Sequence, residues 1–206
     1  QIHGLKRQDI AIFVNRWHAG IDLDKIHDGS TRDLDNTASA LKDALFSGRS
    51  SESLLQLCSN PMLCALLCLV NLVEKGELPD TPKTLYRHAL DILLLSRDEV
   101  RGIVTEPKFL SISKPLRQKL LEYIAFSMQE IVEDHGKADY LAEAKKADVL
   151  SWIEHYLSND EDDTFEELSS EEILNFLVER VSVLREPTKD RVDFVHRSFM
   201  EYLAAE

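Results

Sequence analysis

The chain has 206 residues, room for one large or two small domains with buried cores. Hydrophobic residues at 44% and charged residues at 30% exclude bulk disorder, and only 7 Gly with 6 Pro argue against a turn-rich sandwich or barrel. A formal net charge of -13 opposes binding to phosphate backbones and anionic membrane surfaces.

The first half reads as helices. Ile10, Phe13, Val14 and Trp17 recur on one face and predict a short helix over Gln8 to Trp17. Asp22 to Asp35 is polar and irregular and reads as a loop. Thr37 to Phe46 is a second helix, with Leu41, Ala44 and Leu45 inward and Gly48 as its end. Leu54, Leu55 and Leu57 follow in Ser51 to Cys58. Asn60-Pro61 then signals a new helix, because Asn is a favoured cap and Pro fits the first helical position. This helix, through Met62, Leu63, Leu66, Leu67, Leu69, Val70 and Val73, is apolar nearly all round and is expected to be central, with Gly76 stopping it. Thr81-Pro82 repeats the start signal for a helix carrying Leu85, Tyr86, Ala89, Leu90, Leu93 and Leu94. Periodicity fades between Gly102 and Ile112, which sets a domain boundary, with one domain over residues 1–110 and another over 111–206.

The second half opens at Ser113, with Leu116, Leu120, Tyr123, Ile124, Met128 and Ile131 at helical spacing and Gly136 closing the helix. Ala138 to Leu141 reads as one short strand and Ala142 to Leu157 as a helix. Asn159 to Glu172 is an acidic stretch running into a helix start, where Ser169-Ser170-Glu171-Glu172 forms a capping-box pattern. Val181 to Glu186 and Arg191 to His196 are β-like runs around the turn Pro187-Thr188-Lys189-Asp190, with Val192, Phe194 and His196 on one strand face. Ser198 to Ala205 returns to helix. The expected fold class is mainly α, a helical bundle domain followed by a winged-helix domain with a small C-terminal β-hairpin. Both termini read as cut, since the chain begins at Gln1 and ends at Glu206 inside a helical pattern.

Catalytic motifs are missing from the sequence. There is no G-x-x-x-x-G-K-[ST], no G-x-S-x-G, no H-E-x-x-H and no paired C-x-x-C. Cys58, Cys64 and Cys68 are too few and too odd for a secreted disulfide framework. Cys64 and Cys68 share a helix face, but their apolar run without His favours small buried hydrophobes over a metal site, and a reducing cytoplasm fits. Pro61-Val73 is too short to span a bilayer, which needs about 20 apolar residues. Two positions stand out. Pro61 sits at the start of the most apolar helix, where spacing alone explains it by helix initiation. His196, at a strand-to-helix junction between Phe194 and Phe199, is either a half-buried ring satisfied by backbone or a hydrogen-bond donor to an anion.

Several stretches carry a resemblance. Asn60-Pro61-Met62-Leu63 with Leu66-Leu67-Cys68-Leu69-Val70, then Gly76-Glu77-Leu78-Pro79 and Leu85-Tyr86, resembles the first helical domain of bacterial NACHT proteins. The run from Val192 through His196-Arg197-Ser198-Phe199-Met200-Glu201-Tyr202-Leu203 to Ala205 is similar to the end of the NACHT winged-helix domain. Leu121 to Met128 fits that domain's opening helix, and Leu5 to Trp17 is similar to the segment leaving the nucleotide-binding domain, here within residues 1–20.

The resemblance implies a regulatory segment of a STAND-class signalling ATPase related to NOD-like receptors. In that family ADP sits between the nucleotide-binding, helical and winged-helix domains. A helical-domain proline, matched by Pro61, packs on the adenine, and a winged-helix histidine, matched by His196, touches a phosphate. ADP or ATP with Mg²⁺ would be the cofactor of the intact protein, whose own nucleotide-binding domain would be the first partner. Exchange to ATP would release the winged helix and permit homo-oligomerisation, often in cytoplasmic antiphage defence. The phosphate-binding loop and the Mg²⁺-binding acids lie outside this chain. Two rivals remain in view. A DNA-binding winged helix would have to insert a helix bearing Glu171, Glu172 and Glu179, with Arg180 at its end. A helical adaptor with no nucleotide role would account for the composition.

Overall fold

In the computed structural model, the described residues are 4–20, 34–47, 51–74, 76–79, 81–101, 109, 112–134, 143–159, 168–181 and 183–206. The loop expected at Asp22, the stops at Gly48 and Gly136, the strand at Ala138 to Leu141, most of the acidic stretch after Asn159 and the domain boundary between residues 110 and 111 fall outside them. The chain forms two compact units, Gln1–Ile92 and Leu93–Glu206. Among the described residues no helix is long and apolar enough to cross a membrane.

The first unit is helical. It contains α1 (Arg7–Ala19), α2 (Leu34–Ser47), α3 (Ser51–Cys58), α4 (Pro61–Val73) and the first part of α5 (Pro82–Arg101). Leu63, Leu67, Val70 and Leu72 of α4 are buried, joined by Leu41 and Leu45 of α2, Ile10 and Val14 of α1, and Leu85, Ala89 and Leu90 of α5. A helix with no charged side chain cannot offer water a favourable face, so its neighbours enclose it. The start of α4 is built as the Asn-Pro signal predicts. Asn60 Oδ1 accepts from the backbone N–H groups of Met62 (2.9 Å) and Leu63 (3.3 Å), and Pro61 takes the first helical position. Gly76, at φ 98°, turns the chain after α4 in a backbone region that L side chains rarely enter.

The α1 end is anchored beside the α3–α4 turn. The Leu5 N–H donates to the Ser59 carbonyl at 2.7 Å, and a Cβ on Gly4 would approach that carbonyl oxygen to 3.2 Å. Arg7 donates to the Phe46 carbonyl at 2.9 Å while its guanidinium lies 4.9 Å from the Phe46 ring centre. Ile10 and Val14 are buried as expected, whereas Phe13 and Trp17, expected inward with them, are only half-buried.

The second unit holds the rest of α5, then α6 (Lys114–Asp134), β1 (Glu143–Lys145), α7 (Lys146–Ser158), α8 (Ser170–Phe176), β2 (Leu184–Thr188), β3 (Arg191–Phe194) and α9 (Arg197–Ala204). Leu177–Val181 continues α8 as a turn of π-helix. The strands form an antiparallel sheet in the order β1-β3-β2. Leu120, Leu121, Ile124, Ala125 and Met128 of α6 share the core with Val149 and Ile153 of α7, Ile173 and Leu174 of α8, and Phe199, Met200 and Leu203 of α9. Ser169 opens α8 with the expected reciprocal cap: its Oγ accepts from the Glu172 N–H at 3.3 Å, and the Glu172 carboxylate accepts from the Ser169 N–H at 3.1 Å.

Two expectations are corrected here. The first hairpin strand is Leu184–Thr188 rather than Val181 to Glu186, so Pro187 and Thr188 belong to β2 and not to the turn. Glu143–Lys145 is a strand, not the first turn of a helix from Ala142. Its side chains suit a helix, but pairing with Asp193, Val192 and Arg191 satisfies the backbone and seats Ala144 in the core. Arg117 draws this unit together: it donates to the carbonyls of Ile112 (2.8 Å) and Leu94 (2.9 Å) and lies 5.0 Å from the Phe176 ring centre.

Two substitutions probe these supports by urea denaturation of the chain. Asn60→Ala is expected to destabilise the first unit by about 1 kcal/mol, through loss of two accepted N–H bonds. Arg117→Met is expected to cost the second unit about 2 kcal/mol, because two carbonyls lose a charged donor together.

Candidate functional site

Both residues singled out by sequence stand at the beginnings of helices. The Pro61 ring is exposed at the head of α4, in the first unit. Its position follows from Asn60, whose side chain already satisfies the first-turn donors, so the proline removes no needed N–H.

His196 lies in the second unit, two residues past the end of β3. The Val195 N–H donates to the Val183 carbonyl at 2.9 Å, which extends the β2–β3 hairpin to the residue before it. The chain then turns into α9, and His196 caps that helix with its ring. Nδ1 accepts from the Ser198 N–H at 3.2 Å and meets the Ser198 hydroxyl at 2.5 Å. An acceptor nitrogen carries no proton, so the neutral ring bears its proton on Nε2. Burial lowers the His196 pKa below the usual histidine value, opposed by the negative charge of Glu201. Protonating Nδ1 would also remove the lone pair that caps α9.

The backbone-satisfied reading of His196 therefore describes Nδ1, and the donor reading is assigned to Nε2. The two are compatible on one ring. Ser198, the partner that orients the ring, was not singled out from sequence. Its signal was a hydroxyl two residues past the histidine at a predicted helix start.

Cys58, Cys64 and Cys68 are free thiols with no exposed surface, in keeping with small buried hydrophobes. The Cys58 and Cys68 thiols are pushed up by hydrogen bonding with Cys64 and by burial, which keeps them as neutral S–H groups. Among the described residues no group of three or more His, Cys, Asp and Glu side chains is disposed to hold a metal ion.

Described residues of single units line two grooves. One of about 420 Å³ runs along the outer face of α1, lined by Leu5, Asp9, Ile12, Phe13, Arg16 and Trp17. The other, of about 610 Å³, is lined by Tyr123, Ser127, Glu130 and Ile131 of α6 and by Asp148, Ser151 and Trp152 of α7. The second groove went unnoticed in sequence because its members alternate with core residues along both helices.

The comparisons with known proteins add no relative: no protein-family model, curated protein or solved structure matches the chain.

The cap at His196 gives a pH signature. The lowered pKa means the folded chain prefers the neutral ring, so this contribution to stability is complete above the unfolded histidine value and is lost as pH falls through the lower folded value. Unfolding free energies measured from about pH 7 down to about pH 5 should fall more steeply in the parent than in His196→Asn, which retains a non-titrating acceptor. His196→Ala should be about 1 kcal/mol less stable than the parent at neutral pH, through loss of the cap.

Proposed function

We propose that the chain is the helical and winged-helix portion of a NACHT-type signalling ATPase, and that it closes over bound ADP to hold the protein inactive. The observation that carries the reading is the second unit's order, helix, strand, helix, helix, strand, strand, with the sheet ordered β1-β3-β2 and a histidine at the start of the closing helix. That order matches a winged helix, with β2 and β3 as the wing. The histidine falls inside the stretch from Val192 to Ala205 that resembles the family's winged-helix terminus.

The side chains have chemistry that fits a nucleoside diphosphate. Pro61 offers an exposed apolar ring, suited to the face of a purine. His196, its ring held by its own helix cap, has the chemistry to contact a phosphate oxygen. Mg²⁺ and the phosphate-binding loop would come from the nucleotide-binding domain, which is the proposed partner. The outer groove of α1, where Ile12 is 51% exposed beside half-buried Phe13 and Trp17, suits an apolar contact with that domain. Release on exchange to ATP, followed by homo-oligomerisation, completes the proposed cycle, in a cytoplasmic defence role.

A hydrogen bond from a neutral donor to a charged phosphate is worth about 1.5–3 kcal/mol. Made only in the closed state, it biases closed over open by roughly 10- to 150-fold. In the protein carrying its nucleotide-binding domain, His196→Leu should therefore raise resting activity and speed ADP loss. Unchanged resting activity with ADP held as tightly would refute the latch.

The electrostatics disfavour the DNA-binding alternative. Lys146 lies 2.8 Å from Glu186 and 3.5 Å from Glu171, Arg185 pairs with Asp193 at 2.7 Å, and Arg191 lies 3.9 Å from Glu143. These cations of the sheet and its flanking helices are answered by carboxylates, which leaves little net positive field for a phosphate backbone. A mobility-shift titration of duplex DNA at low salt is expected to show no complex; tight, salt-sensitive binding would reinstate the alternative.

A further inference from the structure

The groove between α6 and α7 has a composition suited to a particular ligand. Tyr123, Ser127, Glu130 and Ile131 are spaced four, three and one residues apart, which puts them on one face of α6. Asp148, Ser151 and Trp152 share a face of α7 in the same way. Among the described residues the lining thus joins two carboxylates, two serine hydroxyls and two large aromatic rings, with no lysine or arginine. Glu130 and Asp148 are exposed, while Tyr123 and Trp152 are half-buried, so the charges stand toward water above partly sunken rings.

The groove is held in shape by its own walls. The Tyr123 ring packs against Tyr156 at 5.5 Å and His155 at 6.4 Å between centres. The Ser127 hydroxyl donates to the Tyr123 carbonyl at 2.9 Å, which fixes that side chain against its own helix. Behind the lining, Ile124, Met128, Val149 and Ile153 are buried. A ligand entering here would meet an ordered surface and lose little free energy in organising it.

We propose that this groove receives an arginine side chain from a segment of a partner protein. A guanidinium is planar, stacks on aromatic faces and donates to carboxylates in a fixed fork, so it uses both kinds of group in the lining. A lysine ammonium matches the carboxylates but stacks less well. An anionic ligand is opposed by both acids and by the chain's net charge of -13, which instead attracts a basic segment. The groove is open to solvent along α6 and α7 and so admits a chain segment rather than only a small enclosed molecule. This assignment is independent of the nucleotide reading, since it uses neither Pro61 nor His196.

The test is a titration of the 206-residue chain with a glycine-serine peptide carrying one arginine, followed by NMR at the two tryptophan indoles. Trp152 should shift and Trp17, in the other unit, should not. The double variant Glu130→Gln, Asp148→Asn should weaken binding at least about tenfold, and added salt should weaken it in the parent. A matched lysine peptide should bind about threefold more weakly. If the double variant does not fold, Ser151→Arg supplies a guanidinium within the groove and should abolish the peptide-induced shift. The proposal is overturned by a Trp152 resonance that does not move with the arginine peptide, by full binding in either variant, or by a free polyamine that binds as tightly as the peptide.

Discussion

A helix begins with backbone N–H groups that have no partner inside the helix, and this requirement organises both positions on which the proposed function rests. Asn60 meets it for α4 and the His196 ring meets it for α9. In each case the cap fixes the position of a residue singled out from sequence. Because Asn60 supplies the acceptor, Pro61 can occupy the first helical position with its ring exposed. Because His196 commits Nδ1 to the α9 backbone, its proton belongs on Nε2. The proposed nucleotide contacts thus involve two residues whose positions are fixed by helix capping.

The same economy explains why neither residue looked exceptional by spacing alone. A proline after asparagine at a helix start has a complete structural explanation, and so does a histidine that caps a helix. A functional role adds to that explanation without changing any bond already made. It also makes simple alanine substitutions ambiguous, since losing the cap and losing a ligand contact would act together. His196→Asn, which keeps an acceptor for α9 but lacks the imidazole donor, separates them.

Cooperation between distant segments is clearest around β3. That strand pairs with β1 on one side and β2 on the other, and its continuation through Val195 delivers His196 to the start of α9. The Arg185–Asp193 pair bridges β2 and β3 with two hydrogen bonds of 2.7 and 2.8 Å. Lys146, at the start of α7, adds a backbone bond to the Asp190 carbonyl at 2.8 Å and an ion pair to Glu186. The position of the imidazole is therefore set by contacts from three separate stretches of chain.

Periodicity and capping chemistry were enough to read α1, α2, α4, the early part of α5, α6 and α8 from sequence, because those signals act between residues one turn apart. The hairpin's existence was equally legible, since Val192 and Phe194 alternate inward, but its turn is Lys189-Asp190 alone, with Pro187 and Thr188 inside β2. Other features needed residues far apart in sequence. Glu143–Lys145 becomes a strand only because β3 supplies partners, and nothing local overrides its helical composition. The half-exposure of Phe13 and Trp17, the bond from His196 Nδ1 to Ser198 and the lowered His196 pKa likewise depend on what packs around each side chain. Sequence alone determined where the helices start and which faces are apolar, because those properties are local; tertiary structure decided which groups are buried, paired or presented, because burial belongs to the assembled chain.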